Sequence, residues 1–377
     1  MSSLYFHIPF CHQRCRYCDF FSTTAGSGER DNYLTLLCRH LKLISGDDQT
    51  ISELNTIYFG GGTPSLLTAA QLNLLLVTCH DLFGLSPTTE ITLEVNPGTF
   101  GGNYLQQVRQ LGVNRLSIGI QSFDDRQLQQ LGRCHDGEQA RTAVTAARAA
   151  GFDNVSLDLM FALPGQNSAD LKREIDQLLQ LDPEHISVYG LTIEEGTEFD
   201  RLRHQGRLEV TDEEEYAGQY ELLRTCFTAA GYEHYEVSNF SRPGRRCLHN
   251  QRYWQRRSCL AVGAGAHSFV ESGYGTRRHV PADLVRYRQF LEAGADPAEL
   301  LEQFGRKGAM VEAAYLALRT SDGLDLAAFE QRFGESLEQA FPEALAQLQG
   351  SLVFGDGRAV LPPQHWLIYD HLIASFF

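Results

Sequence analysis

Residues 5–21 read YFHIPFCHQRCRYCDFF, and within them Cys11, Cys15 and Cys18 stand in C-x3-C-x2-C spacing. Three thiols this close in the chain can reach one inorganic group. Cysteine thiolates hold iron–sulfur clusters, and three of them on a four-iron cluster leave one iron open for chemistry. Structural zinc asks for four nitrogen or sulfur ligands, so zinc would need a fourth from His7 or His12. Cysteines this dense, in a chain with an odd total of nine and no signal peptide, read as metal-binding or catalytic in a reducing cytoplasm, not as disulfides.

Working outward, residues 4–9 read as a short buried strand with the cysteine loop at its C-terminal end. Further apolar strands are predicted over 56–59, 90–95, 115–120, 155–161 and 185–189. Helices are predicted between them over 31–44, from Thr68 to about 82, over 102–111, from about 124, over 138–149 and over 168–181. This alternation predicts βαβ units around a parallel sheet. Six units fall short of the eight that close a full barrel. The expected fold class is therefore α/β, a partial (β/α)6 barrel open on one side. A mixed, mainly helical C-terminal region follows, with the boundary drawn between residues 225 and 226. Before that boundary the acidic run 212–215 starts a helix reaching about 230, which crosses it. A strand is expected within 232–240 and a hairpin within 351–361. The apolar closing segment, 366–377, is expected to dock on its own domain in preference to a membrane.

Composition narrows the function. The formal net charge of −15 argues against nucleic acid, whose phosphates attract Lys and Arg. The apolar runs stop short of the ~18 residues that would suggest a membrane-spanning helix. The run Gly60-Gly61-Gly62-Thr63-Pro64 follows a strand and precedes a helix, and glycines there let backbone approach a ligand closely. Glu94, Gln121, Arg133 and Asp158 occupy or flank strand ends, where such folds place their sites.

The cysteine run resembles the signature of the radical S-adenosylmethionine (SAM) superfamily. That resemblance implies SAM chelating the open iron and an electron from the cluster cleaving its sulfonium to a 5′-deoxyadenosyl radical, with the protein supplying orientation and a dry pocket. The resemblance sharpens over about residues 5–200. The 5–10 run, GGGTP at 60–64, LEVNP at 93–97, IGIQSF at 118–123, Gly132-Arg133 and DLMFALPGQ at 158–166 are similar, in order, to the oxygen-independent coproporphyrinogen III dehydrogenase family. It implies SAM contacts by Tyr5, Gly61, Gly62, Thr63, Glu94, Gln121, Arg133 and Asp158.

Two departures separate this chain from the dehydrogenases. Phe20 stands where they carry a further cysteine, and the chain begins almost at the first strand where they have an extension. Both match the related haem-chaperone branch. So does His249-Asn250-Gln251-Arg252-Tyr253-Trp254, which resembles that branch's H-N-x-x-Y-W motif. On a helix His249 and Tyr253 share a face; a histidine can ligate haem iron, and aromatic rings can stack on a porphyrin. Cys247, two places before His249, is another possible ligand, read in preference as a bystander. Six arginines and no acid lie between Arg242 and Arg257, a local excess suited to the two propionates of haem. The expectation is a cytoplasmic haem chaperone, peripheral to the membrane if its acceptor lies there, carrying a [4Fe-4S] cluster, SAM, and haem at His249, Tyr253 and Trp254. It would pass haem to an acceptor such as a membrane-bound respiratory subunit, as a carrier and not a turnover enzyme. A homodimer accords with the family, though no residue demands it. Radical decarboxylation of coproporphyrinogen III propionates stays open as the alternative.

Overall fold

The computed structural model describes residues 2–24, 26–47 and 53–377. Six apolar strands form its centre: β1 (Ser2–Ile8), β2 (Leu54–Gly61), β3 (Leu85–Val95), β4 (Arg115–Gln121), β5 (Val155–Phe161) and β6 (His185–Gly190). They lie side by side in chain order, each parallel to the next. Leu4, Phe6 and Ile8 are fully buried, as are Ile57 and Phe59. Strands buried this thoroughly suit a parallel sheet covered by helices.

The connecting helices are α1 (Ser27–Asp47), α2 (Ala69–Phe83), α3 (Tyr104–Gln110), α4 (Asp125–Leu131), α5 (Gly137–Ala149) and α6 (Ser168–Gln180). Their starts are chemically marked. Thr68, Asp136 and Asn167 each cap a helix, and Gln71, Gln139 and Asp170 return the bond in reciprocal capping boxes. α7 (Glu198–His204) and α8 (Glu213–Ala229) follow β6.

The sheet continues well past residue 225. On the β6 side it adds β7 (Glu233–Glu236) and β8 (Asn239–Ser241); α9 (Leu248–Trp254) then precedes β9 (Cys259–Val262), β10 (His267–Val270) and β11 (Thr276–His279). α10 (Leu284–Glu292) leads to β12 (Glu299–Gln303). The full order is β12-β11-β10-β9-β1-β2-β3-β4-β5-β6-β8-β7. Neither β1 nor β6 pairs with the other, so the six-stranded barrel stays open. Strands on both sides of the expected boundary thus belong to one layer. The sequence reading missed β9–β12 because these strands are only four or five residues long and, apart from β9, offer little apolar alternation.

A second core draws on the chain from about Phe304 onward and takes in Phe269 of β10. It gathers α11 (Arg306–Leu318), α12 (Leu326–Phe333) and a small sheet of β13 (Leu324–Asp325), β14 (Val353–Gly355) and β15 (Arg358–Val360). The hairpin falls where the sequence places it. The closing segment docks on this core through Trp366, Tyr369, Ile373 and Phe376, each at most 4% exposed. Among the described residues no helix is long and apolar enough to cross a membrane.

Candidate functional site

The cysteine loop leaves the end of β1 and is tied down at several points. The Cys11 amide donates to the Thr23 carbonyl at 2.9 Å, the Thr23 amide to the Pro9 carbonyl at 2.7 Å, and the Arg16 amide to the Leu131 carbonyl at 3.0 Å. Gly132 ends α4 in the left-handed conformation. A Cβ there would meet Arg16 at 3.2 Å, so glycine lets the loop cross the helix end.

The glycine run closes the other side. The Gly62 amide donates to the Ile8 carbonyl at 2.8 Å. A Cβ on Gly62 would stand 2.8 Å from the Phe10 carbonyl oxygen and 3.0 Å from Cys11 Sγ. Gly61 has φ +112, and a Cβ there would strike the His7 ring at 2.8 Å. These glycines bring backbone against the thiols.

Between loop and strand ends lies a cavity of about 460 Å³. Cys11, Cys15 and Cys18 line it together with Gly61, Gly62, Thr63, Glu94, Gln121, Arg133 and Asp158. Tyr5 does not. It sits behind the wall, its ring 6.0 Å from the Tyr58 ring, while the Tyr58 hydroxyl donates to Glu94 at 2.9 Å. Phe20, 64% exposed, stands at the cavity.

Two thiols are joined by a continuous polar circuit. Arg133 Nη1 points to Cys15 Sγ at 3.7 Å, and Nη2 donates to Asn96 Oδ1 at 2.6 Å. Asn96 Nδ2 donates to Thr63 Oγ1 at 3.1 Å, and Thr63 donates to Cys11 Sγ at 3.5 Å. Donors of this kind favour thiolates. Burial works the other way, raising the Cys11 thiol and pushing Cys18 up to about 11. Loading a metal group on these sulfurs must therefore release protons. Asn96 was not singled out from the sequence. Its LEVNP context was visible, but the contact to Thr63 exists only once β2 and β3 lie together.

The remaining walls carry charge. Burial, with the Asp158 charge second, raises Glu94 to about 7; Asp158 itself is raised by burial to about 6 despite hydrogen bonds from Ser117. Gln121 has φ 63, a left-handed conformation in a residue with a side chain, and such strain gathers at functional sites. Arg133 Nε is buried without a partner. A cradle with an orphaned donor, two uncommonly basic carboxylates and three thiols fits a cationic, polar cofactor beside a thiolate-held cluster. Among the described residues no three His, Cys, Asp or Glu groups converge to hold one metal ion. His7 Nε2 is taken by the Phe21 carbonyl at 2.9 Å.

The second constellation lies elsewhere. His249 is 1% exposed on the face of α9 that packs on β2. Its Nδ1 shares a 2.7 Å hydrogen bond with Thr56 Oγ1, and its Nε2 a 3.1 Å bond with the Tyr253 hydroxyl. Burial and the Arg115 charge push its pKa down to about 3, so the ring is neutral. The helical pairing of His249 with Tyr253 is as the sequence predicts, and both ring nitrogens are engaged inside the core. Cys247 is likewise buried, its Sγ 3.8 Å from Glu90. Trp254 has the Arg319 guanidinium 3.9 Å above its ring. The arginines diverge: Arg242 and Arg245 pair with Asp182 and Asp153, whereas Arg246, Arg256 and Arg257 turn toward a separate cavity.

A parallel βα scaffold with three loop thiols and a polar cavity beside its strand ends is the architecture of radical SAM proteins, and the Radical SAM superfamily matches residues 5–178. The HemN C-terminal domain matches residues 306–368. Heme chaperone HemW of Bacillus subtilis is 34% identical over 380 residues, covering 100% of this chain and 99% of the relative. Heme chaperone HemW of Mycobacterium tuberculosis (strain H37Rv) is 35% identical, covering 95% and 92%; that of Escherichia coli K12 is 38% identical, covering 71% and 70%. The chain belongs to the HemW family of radical SAM proteins, which implies a [4Fe-4S] cluster and SAM. The solved structure of coproporphyrinogen III oxidase (HemN) from Escherichia coli, a radical SAM enzyme, superposes with a TM-score of 0.85 at 22% identity, covering 100% of this chain and 89% of that one. At that identity it shares the fold.

Proposed function

We propose that this chain is a haem chaperone built on a radical SAM scaffold, binding haem and handing it to an acceptor protein. The observation that carries the reading is the end-to-end similarity to relatives named heme chaperones, joined to a cavity whose residues suit cluster and SAM. Cys11, Cys15 and Cys18 hold the cluster. When bound, cluster and SAM supply one-electron chemistry at the sulfonium. Thr63, Asn96 and Arg133 fix the sulfurs and the cavity wall. Glu94 and Asp158 neutralise the positive charge of SAM, Gly61 and Gly62 let it lie against backbone, and Gln121 contributes a neutral amide. Tyr5 acts from behind through Tyr58. The part of the chain after residue 225 serves haem and the acceptor.

Two experiments test this. Cys15→Ser is expected to abolish the broad visible absorbance of the anaerobically reconstituted cluster; unchanged iron and sulfide would refute the assignment. The reconstituted protein, given SAM, a reductant and coproporphyrinogen III, is expected to form no protoporphyrinogen, and when loaded with hemin to pass it to an apo-haem acceptor. Catalytic decarboxylation over many turnovers would overturn the chaperone reading in favour of the dehydrogenase.

A further inference from the structure

A second cavity, about 650 Å³, lies between the C-terminal end of α9 and helices α11 and α12. This is within the usual range for small-molecule sites. Its walls include the rings of Trp254, Phe329 and Phe333 and the methyl groups of Ala313, Ala317 and Ala328. Five arginines against three carboxylates line it in a chain that is strongly negative; just outside the lining, Glu312 pairs with Arg256 and Glu233 with Arg246. Arg246, Arg257, Arg332 and Arg358 are partly exposed and pair with Asp322, Glu271 and Asp325. These are water-exposed pairs of small worth, which an incoming carboxylate could replace. The fifth, Arg256, is 7% exposed and held between the rings of Phe269 and Phe304 at 4.7 and 4.8 Å. Two polar atoms on cavity residues, Trp254 Nε1 and Arg256 Nη1, are buried without a hydrogen-bond partner. Buried donors are rarely left so unless a water or ligand completes them.

We infer that this cavity binds a flat, apolar macrocycle bearing two carboxylates on one edge, taking the disc between its aromatic and alanine walls and the carboxylates at its arginine rim. The inference rests on the haem-chaperone reading and gives that reading a location apart from His249. It also sets a specificity. Among the described residues no His, Cys or Met lines the cavity, and the Tyr235 hydroxyl is engaged with His185 Nε2 at 2.7 Å. The site therefore recognises macrocycle and carboxylates, and the iron is left to the acceptor.

The test is a titration of the full-length, cluster-loaded protein with hemin, with metal-free protoporphyrin IX, and with the dimethyl ester of the same porphyrin, followed by quenching of tryptophan fluorescence and by the porphyrin absorbance. Hemin and the metal-free porphyrin are expected to bind within about threefold of each other, and the ester at least about tenfold more weakly. Arg257→Glu with Arg332→Glu, both partly exposed, is expected to weaken uptake by at least about tenfold at an unchanged unfolding midpoint. Ala328→Trp, which fills the cavity from an exposed helix position, should block it. If wild-type protein binds hemin but none of these changes alters it, or if binding requires iron, the cavity assignment is overturned while the haem reading stands. If wild-type protein binds no porphyrin at all, both fall.

Discussion

Glu94 and Asp158 show how single residues tie the cofactor site to pH. Their ordinary values, 4.5 and 3.8, rise to about 7 and about 6 in the fold, chiefly through burial. Between those limits the folded chain holds more protons than the unfolded one, so their contribution to stability is present at low pH and is lost as pH rises through 6 and 7. SAM brings a permanent positive charge, which favours the ionised carboxylates and pulls both values back down. SAM binding to the cluster-loaded protein is accordingly expected to release protons near neutrality and to tighten as pH rises from about 6 to about 8. Calorimetry in two buffers of different ionisation heat measures this directly, and Glu94→Gln should remove most of it. Equal heats in both buffers at pH 6.5 would contradict the coupling. Both carboxylates were legible in the sequence, since charges at buried strand ends need a reason. Their mutual influence was not, because Glu94 and Asp158 stand on β3 and β5 and meet only across the assembled cavity.

At the scale of an element, α9 carries the sharpest difference between sequence and structure. The motif predicts a helix with His249 and Tyr253 on one face, and that face exists. What the sequence does not reveal is that this face points inward. Glu90 on β3 receives the Leu248 and His249 amides at 3.2 and 3.0 Å, acting as a cap reached from another element, and Thr56 on β2 holds the imidazole. His249 thus fastens α9 to the sheet, and through α9 it sets Trp254 at the second cavity. Replacing His249 with Ala removes two buried hydrogen bonds and opens a void, a loss of about 2–4 kcal/mol. The expected outcome is a lowered denaturation midpoint with the haem absorbance maximum unmoved wherever the protein is folded. A shifted maximum at unchanged stability would return His249 to the role of ligand. The cysteine loop gives the opposite lesson: its ligand spacing is local in sequence, so both its position and its partners at Gly60–Gly62 were readable.

Over the whole molecule, the question is whether the cofactor half stands alone. The βα alternation up to residue 190 suggests a self-sufficient unit, and short edge strands conceal the rest. Yet β1, which delivers the cysteine loop, lies between β2 and β9, and β6 lies between β5 and β8. Cutting the chain after residue 225 would leave both flanks of the six-stranded sheet with unpaired backbone and remove the covering from buried Glu90 and Arg115. The second core is tied to the sheet in the same manner. Arg256 and Glu312 are 6% and 11% exposed at the side chain, and Arg319 pairs with Glu236, which is fully buried. Removing one partner of a buried pair costs about 3–5 kcal/mol, a large share of the roughly 5–15 kcal/mol by which a domain is stable. The cofactor half and the second core should therefore unfold together. Anaerobic denaturation is expected to give one transition seen equally by cluster absorbance and by far-ultraviolet dichroism, and limited proteolysis no persistent fragment ending near residue 225. A protease-resistant piece of that length that still loads iron would show that the cofactor half folds alone.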